Sequence, residues 1–368
     1  MKLLSVFIFS LIGAFFPRFF AETEPVFVPT PVRVVHNINN DWQYLARNLK
    51  DVNKLSDQKN WENIDLPHTW NQWDVMDGTP GYRRDASWYQ KEMIIPDHGD
   101  GNYLLYFEGS NITTQVYVNG QFAGEHIGGY VGFRIDVSAL VRKGQKNTIS
   151  VRVDNSYNRD IVPSQKADFF IYGGITRDVW LEINPATYLE QVLVSTPKVS
   201  AKEASTEVKI AYNSTGNVTA EHTVKAILID PGTHQVVVEK EVSAITVAKS
   251  EKLALPALKK PKLWSPKKPH LYQLVVQLLD NGKVVDERTE TIGYRWYRFE
   301  PYGAFYLNGE RLLLRGTHRH EEHAGYGAAM PNSLHRQDVE LLKDMGANFV
   351  RLGHYPQDPE IYRSCDEL

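Results

Sequence analysis

The chain has one cysteine, Cys365, in 368 residues. A lone thiol closes no internal disulfide and supplies no Cys-based zinc site, so the fold rests on packing. Charge of one sign is also missing: 41 Lys and Arg stand against 44 Asp and Glu, a net charge of −3. Nucleic-acid binding is excluded as the main role, because the densest basic stretch, Lys259, Lys260, Lys262, Lys267 and Lys268, reads as a solvated loop. No apolar run suits a comfortable membrane span of about 20 residues. The nearest, Leu3–Phe16, comes after the positive start Met1–Lys2 and has the length of a secretory leader's apolar core. Residues 1–21 are therefore expected to be a signal peptide ending at Ala21, and the protein to be exported to the periplasm or beyond, with a retained N-terminal anchor as the alternative. Low-complexity tracts and internal repeats are absent too, and 42% hydrophobic with 23% charged residues is an ordinary globular mixture.

What the chain has in quantity is aromatic: 8 Trp, 19 Tyr and 15 Phe. Such residues stack on the C–H faces of sugars, but they also fill β-sandwich cores. Short alternating runs favour an all-β reading over most of the length. Tyr103–Glu108, Thr114–Val118, Thr148–Val153 and Val179–Ile183 form one group, with Asn119-Gly120 as a type I′ hairpin signal. A second group holds Glu207–Tyr212, Thr223–Ile229, Gln235–Glu241 and Leu271–Leu279, and Asn281-Gly282 turns it into Lys283–Ile292. The first group predicts a sandwich over residues 22–186 and the second an immunoglobulin-like sandwich over 187–293.

After Gly293 the period changes. Asn308-Gly309 marks a hairpin, Arg311–Gly316 reads as an apolar strand, and Ser333 to Met345 carries apolar residues at helical spacing, closed by Gly346. Asn348–Leu352 predicts a further strand and Asp358–Leu368 a further helix, so residues 294–368 read as the start of a parallel α/β unit.

Two polar clusters stand at the ends of those strands. His318-Arg319-His320-Glu321-Glu322-His323 comes after the first; in extended chain His318 and His320 share one face while Arg319 and Glu321 take the other. The second is Arg351-Leu352-Gly353-His354-Tyr355-Pro356. Strand C-termini are where α/β barrels place active-site groups. A metal site is not expected, since the His-Glu-x-x-His spacing is missing. A third stretch, Asp168-Phe169-Phe170-Ile171-Tyr172-Gly173-Gly174-Ile175-Thr176-Arg177-Asp178-Val179, carries paired glycines suited to close backbone approach.

Together with Leu66-Pro67-His68-Thr69-Trp70, Trp88-Tyr89, Val116-Tyr117-Val118-Asn119-Gly120 and Leu263-Trp264-Ser265-Pro266, these stretches resemble glycoside hydrolase family 2. The resemblance implies a jelly-roll sugar-binding domain, an immunoglobulin-like domain and the first two units of a (β/α)₈ catalytic barrel. By the same motifs Asp168, His320 and His354 resemble residues that bind the terminal sugar, Arg351 the arginine that orients the nucleophile, and Arg319 and Glu321 residues that shape the site. Gly353 replaces the common serine and His318 a common asparagine.

The implied activity is retaining, exo-acting hydrolysis of terminal β-linked sugars on an oligosaccharide or glycoside substrate. β-Galactosidase is the main expectation. β-Glucuronidase or β-mannosidase is the alternative, the Asp168-Phe169-Phe170 pattern occurring in glucuronidases too. A non-catalytic carbohydrate-binding protein is the rival from another class. No cofactor is called for, and homo-oligomers are expected only of the full-length protein. Retention needs two carboxylates about 5–5.5 Å apart. The resemblance places both on later barrel strands, so the chain as given is expected to be inactive.

Overall fold

A computed structural model of the chain describes residues 32–74, 76–163, 167–214, 222–243 and 251–368. The leader expected at residues 1–21 lies outside the described residues. Among these no helix is long and apolar enough to cross a membrane.

The first domain is a sandwich of a four-stranded and a six-stranded antiparallel sheet. The smaller has the order Val34–Asn37, Val179–Asn184, Asn102–Phe107, Phe133–Asp136. At the centre of the larger, Gln145–Asp154 pairs with both Ala86–Ile95 and Thr113–Val118. Alternation explains the layers. In Thr113–Val118 the side chains of Thr114, Val116 and Val118 point into the core while Gln115 and Tyr117 face outward. Asn119 and Gly120 take φ of 53° and 80°, the pair of positive values a type I′ turn requires. Trp42, Tyr89, Tyr103, Phe107, Val151 and Leu181 close the core.

The second sandwich packs Gln235–Ser243, His222–Asp230, Tyr272–Asp280 and Lys283–Ile292 against a sheet of Thr187–Ser195, Glu207–Ser214 and Glu251–Ala254. Its core runs from Leu189 through Tyr212 and Val276 to Tyr294. Arg33 fastens the two sandwiches, donating from Nε to Asp286 Oδ1 at 2.7 Å and from Nη1 to Asn184 Oδ1 at 2.6 Å.

Beyond a small three-stranded sheet come two βα units. Gly316–Arg319 pairs in parallel with Phe349–Leu352, and each strand leads to a helix, Asn332–Asp344 and Pro359–Glu367. The first strand differs from expectation. The apolar run Arg311–Gly316 predicts it, yet Leu312 to Arg315 lie outside any strand, Leu313 is 66% exposed, and pairing begins at Gly316. The apolar run misleads because the strand's register is set by parallel pairing, Gly316 with Phe349 and His318 with Arg351. Gly346 ends the first helix at φ 83°, and its N–H donates to Lys343 O at 2.9 Å. Asp358 caps the second, its Oδ1 accepting from Glu360 N–H at 2.8 Å ahead of Pro359.

Candidate functional site

Parallel pairing sets the two strand ends side by side, so the residues just past each strand fall into one cleft. His318, His320 and His354 gather there with ring centroids 5.1 to 5.3 Å apart. The face alternation holds: His318 is exposed and His320 half-buried, whereas Arg319 and Glu321 are buried on the opposite side. Gly353 makes the grouping sterically feasible. A Cβ there would stand 2.9 Å from two ring atoms of His318, so a side chain at 353 would push that imidazole away. The two departures from the family pattern, at 318 and 353, are thus one packing arrangement.

The opposite wall comes from the first sandwich. The segment from Asp168 to Tyr172 faces His320 across a cleft of about 710 Å³, lined also by Tyr82, Arg84 and Glu322. Phe169 reaches furthest in, its ring 5.6 Å from His320, 6.2 Å from His354 and 5.3 Å from Tyr355. Buried Asn residues hold this wall. Asn155 Nδ2 donates to Ile171 O at 2.9 Å, and Asn71 Oδ1 accepts from Gly173 N–H at 2.7 Å.

A buried ionic joint ties wall to floor. Arg177, from the first sandwich, donates to both oxygens of Glu321 at 2.9 and 3.1 Å and to Pro356 O at 2.7 Å. Glu321 also accepts from Asp358 N–H at 2.8 Å. Asp178 accepts from Asn332 Nδ2 at 3.2 Å, and Tyr130 stacks on Tyr355 with centroids 4.1 Å apart. Arg319 turns away from the cleft, donating to Asp338 Oδ2 at 2.9 Å and Gln357 Oε1 at 2.6 Å. Arg319 and Glu321 therefore act on the cleft through the backbone that carries His320, not by touching a molecule that enters it.

Burial and neighbouring acids push Glu108 up to about 7 and Asp358 up to about 6. Burial, aided by Arg319 and Arg177, brings His335 down to about 3. In the cleft, burial lowers His320; His354 and His318 add to that effect, and Glu322 and Asp168 oppose it. His320 Nδ1 is buried with no partner among the described residues.

The three histidines offer nitrogens within 4.8 Å of one another, the raw material of a metal site. The hydrogen bonding of His354 argues otherwise. Arg351 Nη2 lies 3.2 Å from His354 Nδ1, and a guanidinium only donates, so Nδ1 accepts and the proton of the neutral ring sits on Nε2. A metal-ligating histidine is held the opposite way, by giving its second N–H to an acceptor. With Arg351 beside it, His354 is set up to donate from Nε2 to an oxygen instead.

Of the sequence-derived residues, Asp168 and His320 thus line one cleft, while His354 stands beside it with its ring 5.1 Å from that of His320 and Arg351 stands on His354. Local sequence patterns miss the rest of the wall. Phe169 and Tyr172 belong to the glycine-paired stretch but carry no signal of their own; Tyr172 donates to Glu322 Oε2 at 2.8 Å. Arg177 belongs to the same stretch, and its partner lies 144 residues away, a pairing no local pattern reveals.

Three descriptions match nearly all of the chain after its first residues: "Glycosyl hydrolases family 2, sugar binding domain" over 37–185, "Glycosyl hydrolases family 2" over 187–295 and "Glycosyl hydrolases family 2, TIM barrel domain" over 301–368. A putative β-glucuronidase of Formosa agariphila is 53% identical over 91% of this chain and 40% of its own length. A β-galactosidase of Thermoanaerobacter pseudethanolicus is 33% identical over 91% of this chain and 45% of its own. The crystal structure of Parabacteroides merdae β-glucuronidase superposes with a TM-score of 0.85 at 32% identity, covering 91% of this chain and 46% of that one. The chain spans less than half the length of these relatives.

Proposed function

Because the chain belongs to glycosyl hydrolase family 2, built as a sugar-binding sandwich, an immunoglobulin-like sandwich and two βα units of a TIM barrel, we propose that it carries the terminal-sugar site of an exo-acting retaining β-glucuronidase. The observation that carries this reading is the shared cleft, with Asp168 on one wall, His320 on the floor and the His354 ring 5.1 Å from His320. Sugar hydroxyls need acceptors and donors together. Asp168 supplies a carboxylate, His354 an Nε2–H, and Phe169 an apolar face between them. Glucuronate is preferred to galactose because the relative at 53% identity is described as a putative β-glucuronidase, while the β-galactosidase stands at 33%. β-Galactosidase is the second reading, supported by that more distant relative.

Hydrolysis with retention proceeds through a covalent glycosyl-enzyme and takes a nucleophile and an acid/base. Of the acids lining this cleft Asp168 is read as a sugar ligand and Glu322 is held by Tyr172, while Glu321, buried on the opposite side, is turned onto Arg177. Arg351, exposed at its strand end beside His354, is read as the residue that orients the nucleophile. The chain on its own accordingly binds without turnover. Calorimetric titration with methyl β-D-glucuronide and methyl β-D-galactoside, beside an assay with chromogenic forms of both, tests the reading. Binding of the glucuronide in preference, without release of chromophore, is expected. Preference for the galactoside supports the second reading, and binding of neither overturns both.

A further inference from the structure

The mouth of the cleft carries aromatic surface that a single terminal sugar leaves unused. Trp73 is 58% exposed, Met76 56% and Tyr326 44%. One exposed aromatic needs no explanation. Here, however, the backbone under Trp73 is pinned. Asn71, fully buried, donates to Asp74 Oδ2 at 2.7 Å and Arg83 O at 2.9 Å, Arg83 N–H returns to Asp74 Oδ2 at 3.0 Å, and Met76 N–H closes the turn onto Trp73 O at 2.8 Å.

The facing side belongs to the barrel. Tyr326 and Gly327 N–H both donate to His323 O, at 3.0 and 2.9 Å, making a tight turn seated on the sandwich where a Cβ at Gly327 would meet Tyr172 at 2.9 Å. At the tip, a Cβ on Gly325 would lie 3.5 Å from the Trp73 ring, so the two domains meet at that indole. Tyr326 packs edge-on against His323, centroids 5.7 Å apart, and Met76, His323 and Ala324 line the cleft. Trp73 therefore stands next to the stretch of rim that Met76 and Ala324 contribute to the cleft.

We propose that Trp73, exposed beside the rim formed by Met76 and Ala324, is a stacking platform for a second sugar ring next to the one held in the cleft, so that the substrate is an oligosaccharide. This rests on the reading of the cleft as the terminal-sugar site. An indole offers a rigid apolar face to pyranose C–H groups, and a turn held in place before binding loses little freedom on engaging them.

The chain is titrated with methyl β-D-glucuronide and with a disaccharide bearing a β-linked glucuronosyl group at its non-reducing end, monitored by tryptophan fluorescence and saturation-transfer NMR. About tenfold tighter binding of the disaccharide is expected. Trp73→Ala should abolish that gain while leaving the monosaccharide's affinity within about twofold, and Trp73→Phe should restore part of it. A second ring that adds nothing, whether or not the first binds, overturns the platform, as does a gain that survives in Trp73→Ala. Loss of monosaccharide binding by the unaltered chain separately overturns the terminal-sugar reading.

Discussion

The first sandwich and the first barrel strands contribute opposite walls of one cleft, yet they are built very differently. Trp42, Trp88, Tyr89 and Tyr103 are fully enclosed in the sandwich. Phe349–Leu352, the strand that leads to His354, contains no buried residue, and Phe349 is 49% exposed. Two parallel strands bounded by open surface cannot by themselves hold a site, because parallel sheets owe their stability to cover on both faces. The buried joint of Arg177, Glu321, Asp358 and the Tyr130–Tyr355 stack keeps His320 and His354 opposite Asp168. Precision in the weak region is borrowed from the strong one.

The largest effect should come from breaking that joint. Arg177→Met leaves the Glu321 carboxylate enclosed without its cation, a loss of about 3–5 kcal/mol. Hydrogen exchange should show residues 316–332 opening while Gln145–Asp154 stays protected. Arg177→Met with Glu321→Leu, which removes both charges, should recover most of the loss. Equal protection in the two regions of the single variant would erase the contrast.

A smaller change sharpens it through pH. Folded Asp358, raised to about 6, keeps a proton that the unfolded chain releases near 4, so its contribution is full below about pH 4 and is lost as pH rises through 6. Glu108, raised to about 7, behaves likewise up to that pH. His335, lowered to about 3, runs the other way: its contribution is present above about pH 6.5 and is lost as pH falls towards 3. Between about 4 and 6 the two acids outweigh the histidine, so stability from these groups falls as pH rises, and between about 6 and 6.5 Glu108 and His335 offset each other. Asp358→Asn keeps an oxygen for the Glu360 N–H but removes the titration. Relative to the unaltered chain it should gain stability from pH 4 to 7, by at most about 3 kcal/mol in denaturant melts. A difference independent of pH would place the cost elsewhere.

How much of this is legible in the sequence depends on range. Asn119-Gly120 and the alternation of Thr113–Val118 are local, and the structure uses them as read. That His318 and His320 share a face comes from extended geometry alone. The first barrel strand is misplaced by pattern because Leu312, Leu313 and Leu314 look like a strand's core, whereas pairing with Phe349 sets the start at Gly316. Tyr82 and Arg84 are invisible as site residues in the sequence, since their part in the cleft depends on how a loop of one domain meets a turn of another.

The smallest effect concerns the floor alone. Gly353→Ala puts a methyl 2.9 Å from the His318 ring. His318 is exposed and its ring is the far end of the side chain, so the crowding should displace that imidazole at little cost in stability, visible as a changed His318 signal in ¹H–¹⁵N spectra, with the sandwich unaffected. An unmoved His318 would mean that Gly353 does not govern its position.

The most direct measurement tracks the imidazole resonances of His320 and His354 during titration with methyl β-D-glucuronide, in the unaltered chain and in Asp168→Asn. Shifts at both histidines, weakened at least several-fold in affinity by the substitution, are expected if one sugar is held between the two domains. Histidine signals that stay put at saturation, or an affinity indifferent to residue 168, would contradict the account.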